Sequence, residues 1–204
     1  MGRFTQAISE GDGISVIPLL EGDIERLAAL ATAVGAEAVA VEGSDVGQAR
    51  DGTALPIVAR HGDPGSAAAD GADACIVVFD AVGDEGERLE QVVAQARDLS
   101  LDCAVDVRDE EELARALERV DPDIVLISED DVGDGDELLE RTLDLLADVP
   151  AGKLVISEAH VVSREQVIAL ERAGVDAVLV RGLGRVNDFS GGLEELVRGS
   201  GAHR

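Results

Sequence analysis

Lysine is almost missing from this chain. Lys153 is the only one against 16 arginines, and tryptophan and tyrosine are absent, with three phenylalanines making up the aromatic content. Basic residues are scarce altogether: 17 Lys and Arg face 43 Asp and Glu, leaving a formal charge of −26 over 204 residues. With no cationic surplus to neutralise phosphates, nucleic acid is excluded as a partner. Docking on an anionic membrane surface is excluded for the same reason. No run of about 18 apolar residues exists to span a bilayer. The opening Met1-Gly-Arg-Phe-Thr-Gln has no apolar signal core, so a cytoplasmic protein is expected. Cysteine is limited to Cys75 and Cys103, each inside an apolar run, which reads as small buried residues and not a disulfide framework.

What is present is core-forming material. Hydrophobic residues make up 46% of the chain, enough to bury an interior and exclude wholesale disorder. No Pro/Ser-rich linker or compositional break divides it, so one domain spanning residues 1–204 is expected. The acidity with little lysine fits a salt-rich host, where self-repulsion is screened; a GC-rich coding sequence also exchanges Lys for Arg.

Short β-branched runs alternate with segments of helical spacing. Strands are expected at Ile14–Leu19, Ala38–Glu42, Leu55–Arg60, Ala74–Phe79, Cys103–Val107, Ile124–Ser128, Leu154–Ser157 and Ala177–Val180. Helices are expected at Asp23–Val34, Glu85–Leu99, Glu110–Arg119, Asp136–Ala147 and Ser163–Ala173, with weaker ones at Val46–Arg50, Pro64–Asp70 and Gly192–Arg198. Ser163 and Gly174 suit the two caps of the Ser163–Ala173 helix. Most strands are continuous apolar runs, as in parallel sheets covered by helices. Eight such units in so short a chain close most economically into a compact (β/α)8 TIM barrel, whose chemistry gathers at the strand C-termini.

Those ends form a polar ring: Glu21, Glu42, Arg60-His61, Asp80, Asp106-Val-Arg108, Ser128-Glu129-Asp130-Asp131, Ser157-Glu158-Ala-His160 and Arg181-Gly182. Nothing comparable is expected at the opposite face. The loop glycines Gly191-Gly192 could offer N–H groups to a phosphate at a helix N-terminus, although turn residues are the simpler reading. The acidic run Glu129–Asp136 lacks calcium-loop spacing and reads as a solvated loop.

Several segments resemble indole-3-glycerol phosphate synthase, a tryptophan-pathway TIM barrel. Leu101-Asp-Cys-Ala-Val-Asp-Val-Arg-Asp-Glu-Glu-Glu-Leu resembles its fifth-strand signature, and Asp123-Ile-Val-Leu-Ile-Ser-Glu-Asp-Asp-Val its sixth. Lys153-Leu-Val-Ile-Ser-Glu158 and Arg172-Ala-Gly-Val-Asp-Ala-Val-Leu-Val180 resemble the seventh and eighth; Phe4-Thr-Gln-Ala-Ile and Ile14-Ser-Val-Ile resemble its entry into strand one. The likeness is good over residues 73–182 and thinner before. It implies a lyase that closes an indole ring on a phosphorylated carboxyphenylamino-deoxyribulose, losing carbon dioxide and water, with a cationic general acid, a carboxylate base, a phosphate cradle and no cofactor.

The resemblance also implies a diverged member. Pro18-Leu-Leu-Glu21 stands where the family has Ala-Glu-Ile-Lys, so Glu21 replaces a lysine. Arg60, in Val58-Ala-Arg60-His61, stands where the acid lysine belongs, and arginine holds its proton too tightly for that role. Asp106 is one methylene shorter than the family glutamate, Ser128-Glu129 replace an Asn pair, Glu158 is kept, His160 stands in a Ser-Gly position, and Arg181-Gly182 replace part of the phosphate cradle. The family's N-terminal helical extension is expected to be lacking, since strand one begins near residue 14.

The catalytic candidates are therefore Arg60, Asp106 and Glu158. Substrate contacts are expected from Glu21, His61, Arg108, Ser128, Glu129, His160, Arg181 and Gly182, with no metal. The leading reading is a barrel that binds a small phosphorylated or carboxylated metabolite through Arg60, Arg108 and Arg181, with synthase activity weak or lost. The same arginines could instead simply pair with Glu21, Asp106, Glu129 and Glu158. The competing readings are an active carbon–carbon lyase, a metal-dependent sugar-phosphate enzyme using His61, Asp106, Glu129, Glu158 and His160, and a non-catalytic partner subunit. A monomer or homodimer is expected.

Overall fold

In a strand, side chains alternate between faces, and in this chain that alternation separates two kinds of apolar cluster. In the computed structural model, which describes residues 2–11, 13–79, 87–128, 135–160, 163–183 and 186–200, eight parallel strands form one sheet. They are β1 (Ser15–Pro18), β2 (Val39–Glu42), β3 (Ile57–Arg60), β4 (Ala74–Val78), β5 (Asp102–Val107), β6 (Ile124–Ile127), β7 (Leu154–His160) and β8 (Ala177–Arg181). The order β1-β8-β7-β6-β5-β4-β3-β2 brings β1 round to β2. Leu19 bridges Ala40 in parallel there, and the Leu20 N–H donates to the Ala40 carbonyl at 2.9 Å. The expected TIM barrel is the observed fold.

Inward positions Ile17, Val58, Ile76, Leu126, Ile156 and Leu179 fill the barrel. Outward positions such as Val39, Ile57, Val105 and Val125 meet the helices. These are α2 (Ile24–Val34), α3 (Val46–Gly52), α4 (Pro64–Ala69), α5 (Glu87–Asp98), α6 (Glu110–Arg119), α7 (Gly135–Leu146), α8 (Arg164–Ala173) and α9 (Val186–Ser200), following α1 (Arg3–Ser9). Local signals set their starts. Asp63 accepts from the Ser66 N–H, with Pro64 in the first turn, and Asp109 accepts from the Glu112 N–H. Ser163 and Gln166 form a reciprocal capping box, and Gly174 ends α8 at φ 101°, as the sequence implies.

One helix goes unread in the sequence, and two expectations need correction. The segment before β1 is helical: α1 lies under the barrel with Phe4 and Ile8 buried in its interior cluster, and the Thr5 N–H donates to Asp102 at 2.8 Å. Gly191 and Gly192 are neither loop residues nor a helix N-terminus but lie inside α9, because burying Phe189, Leu193 and Leu196 outweighs about 1 kcal/mol per glycine. The N-terminal face is also charged. Asp73, just before β4, pairs with Arg50 at 2.6 Å and Arg3 at 3.1 Å and accepts the Ile57 N–H at 2.9 Å. Asp176, just before β8, accepts the Val155 N–H at 2.7 Å. These carboxylates tie strand entrances to one another, which in this architecture is a stabilising role.

Candidate active site at the strand C-termini

Parity decides which members of the polar ring reach the bore. Arg60 lies two residues beyond the inward Val58, Asp106 two beyond Ala104, Ser128 two beyond Leu126, Glu158 two beyond Ile156 and Arg181 two beyond Leu179. These side chains cap the apolar filling. Arg60, Asp106, Ser128 and Glu158 are all buried, whereas Arg181 is partly exposed.

Glu158 is the centre of charge. Its Oε1 lies 2.8 Å from Arg60 and 3.3 Å from Arg181. The pairing expected of the arginines is thus present for these two, with Glu158 as the shared partner. Both contacts are close charge contacts without directed hydrogen bonds. Arg60 Nε, Asp106 Oδ1 and both Glu158 oxygens are buried with no hydrogen-bond partner among the described residues. Buried polar atoms are normally satisfied, so four without hydrogen bonds in one layer are a departure that a bound polar molecule would relieve.

Asp106 is held neutral more readily than an ordinary aspartate, its pKa pushed up to about 6. Burial is the largest cause, and the Glu158 charge adds to it. A hydrogen bond from Ser128 and the charges of Arg108 and Arg60 pull the other way. A carboxyl titrating near 6 can give or take a proton close to neutral pH. Arg60 and Arg181 can hold an anion but cannot release a proton usefully.

The remaining candidates are more peripheral. His61 is at the rim, half-exposed, with φ 48° and Nδ1 3.1 Å from Glu42 Oε2. Glu42, in register with Arg60, is a partner that the candidate set omits; the β2–β3 register supplies it. Arg108 follows β5, its backbone N–H donating to Glu112 at 2.8 Å. Gly182 is exposed at φ 73°. Glu21 is exposed beyond β1 and makes no hydrogen bond or ion pair among the described residues, so it is not drawn into the cluster. Glu129 and Asp80 lie outside the described residues; His160 ends β7, in register with Arg181, but its side chain also lies outside them. Of the five residues in the metal reading, the structure therefore juxtaposes Asp106 and Glu158, while His61 turns to Glu42. Among the described residues no group of three His, Cys, Asp or Glu side chains is arranged to hold a metal ion.

A family model for indole-3-glycerol phosphate synthase matches residues 65–192. The match covers β4 to β8 and leaves Glu21, Arg60 and His61 outside. Among solved structures, an aldolase designated QR15 superposes with a TM-score of 0.66 at 17% identity, covering 92% of this chain and 94% of its own. A mutant tryptophan synthase alpha-subunit from the hyperthermophile Pyrococcus furiosus superposes with a TM-score of 0.64 at 16% identity, covering 90% and 98%. At such identities these two likenesses speak for the fold alone.

Proposed function

Because this chain belongs to the indole-3-glycerol phosphate synthase family, we propose that its barrel mouth binds a phosphorylated or carboxylated metabolite while the family's decarboxylating ring closure is weak or lost. The observation that carries this reading is the state of Arg60. At the position where the resemblance puts the general-acid lysine stands a buried guanidinium, tied to Glu158, with its Nε still open. Such a group stabilises negative charge on a bound oxygen but does not protonate it. Arg181 lies beside it and, with a partly exposed head, is available to an anion arriving from solvent. Asp106 supplies the proton-transfer capacity that remains.

The test is to offer the family's phosphorylated carboxyphenylamino-deoxyribulose and measure binding by calorimetry and turnover by indole fluorescence. Saturable binding with turnover more than about tenfold below an ordinary family member is expected. Turnover within that range, or no heat of binding, overturns the reading.

A further inference from the structure

The two cysteines lie away from the mouth, and the sheet brings them together. Cys75 on β4 and Cys103 on β5 are register partners on parallel neighbours, so both side chains leave the sheet on its outer face. There Val93 and Ala96 of α5 and Leu101 pack around them. Both are free thiols and the chain has no others. Register partners on adjacent strands are about 4.8 Å apart, inside the roughly 4.4–6.8 Å between Cα atoms that a disulfide spans. Cys75 is buried and Cys103 only partly so. Cys103 lines a cleft of about 610 Å³ at the N-terminal face, together with Arg97, Ser100, Asp102 and Asp123. A small reagent reaches Cys103 through this cleft without entering the barrel, and Cys75 lies beside it on the neighbouring strand.

We propose that Cys75 and Cys103 form a reversible dithiol–disulfide site, oxidised by a small hydroperoxide arriving through that cleft. The two side chains stand side by side at one level of the sheet. The Cys103 S–H favours a thiolate on Cys75 and lowers its pKa, while the same bond and burial raise that of Cys103, with Arg97 opposing and Asp102 reinforcing the rise. Cys103, the sulfur that lines the cleft, meets the peroxide first and passes its proton to the Cys75 thiolate as it attacks one peroxide oxygen. The O–O bond breaks, hydroxide or alkoxide departs, and a sulfenic acid is left on Cys103. The Cys75 sulfur then attacks the Cys103 sulfur and the S–O bond breaks. The displaced hydroxyl leaves as water with the proton that Cys75 had received. The two sulfurs lose two electrons, and the hydroperoxide that gains them ends as water and its protonated leaving group. Dithiothreitol reverses the process.

The full-length protein is treated with hydrogen peroxide, then quenched, and its thiols are counted after denaturation while intact mass is recorded. Expected are loss of both thiols, a mass lower by two hydrogens, a monomer on a non-reducing gel, and full recovery with dithiothreitol. In Cys75→Ser, dimedone should trap a sulfenic acid at position 103. The proposal is overturned if both thiols persist, if the loss is intermolecular, or if the dimedone adduct accumulates in the unsubstituted protein in place of the disulfide.

Discussion

Arg60 and Glu158 stand on strands half a barrel apart, β3 and β7, yet their charged ends meet at 2.8 Å. The contact therefore spans the bore and forms the polar ceiling of the apolar filling. Taking two charges out of water is costly, and mutual attraction offsets that cost only while both partners remain. Glu158→Gln leaves Arg60 buried without its paired counter-charge and should destabilise the protein by about 3–5 kcal/mol. Arg60→Met with Glu158→Met should cost much less. Thermal melts of the two variants decide the matter, and equal losses would show that the pair's charge is not what holds the ceiling.

Asp106 gives a pH dependence with a defined sign. Its carboxyl titrates near 3.8 when unfolded and near 6 when folded, so the folded state favours the protonated form. Stability from this group is fully present below about pH 4 and is lost as pH rises through about 6. A rise from 3.8 to about 6 corresponds to about 3 kcal/mol. Asp106→Asn should therefore melt several degrees higher than the parent at pH 7.5 and alike at pH 4. A variant equally stable, or less stable, at pH 7.5 contradicts this.

At the other end of the barrel, Asp73 joins Arg3, Arg50 and the Ile57 N–H. Asp73→Ala should cost about 2–4 kcal/mol by leaving these donors open. Metabolite binding at the mouth should be unchanged in the folded fraction. Calorimetry at a temperature well below the melt tests that separation of roles, and a weakened affinity refutes it.

Much of this arrangement is legible in the sequence where local and tertiary signals agree. The helix Glu110–Arg119 is read to the residue because Asp109 caps it and three glutamates fill its first turn. β7 is read too short, ending at Ser157 where the strand runs to His160, because inward polar residues in a barrel mouth imitate a loop. α1 is hidden because only Phe4 and Ile8 mark its buried side, and α9 is read too short, from Gly192 where it starts at Val186, because its two glycines read as breakers. The polar ring is visible as composition. Which members converge depends on strand parity and register, as do the Glu42–His61 contact and the adjacency of Cys75 and Cys103.

On the proposed reading, ring closure should be partly restorable. Arg60→Lys places a releasable proton where arginine holds one, and Glu21→Lys returns a cation to the end of β1. Together they should raise ring closure at least about tenfold, read by indole fluorescence. No gain over the parent would mean that Asp106 or the altered strand-one residues limit the reaction.

Salt should matter to this chain. The exposed Glu110 and Glu111 on α6 and Glu140 on α7 place part of the charge of −26 on the helix layer. Going from about 0.01 M to 1 M sodium chloride shortens the screening length from roughly 30 Å to 3 Å. The melting temperature should rise by several degrees. A flat response would mean that the charges are already paired or well dispersed.

Phe4 and Ile8 close the lower end of the bore, and apolar layers fill its length. Among the described residues the bore is therefore closed at one end and capped by polar groups at the other. A molecule that settles against Arg60 and Glu158 would arrive and depart at the same end, near Glu42, His61 and Arg181, and residues there would set residence time even where they touch no reacting atom.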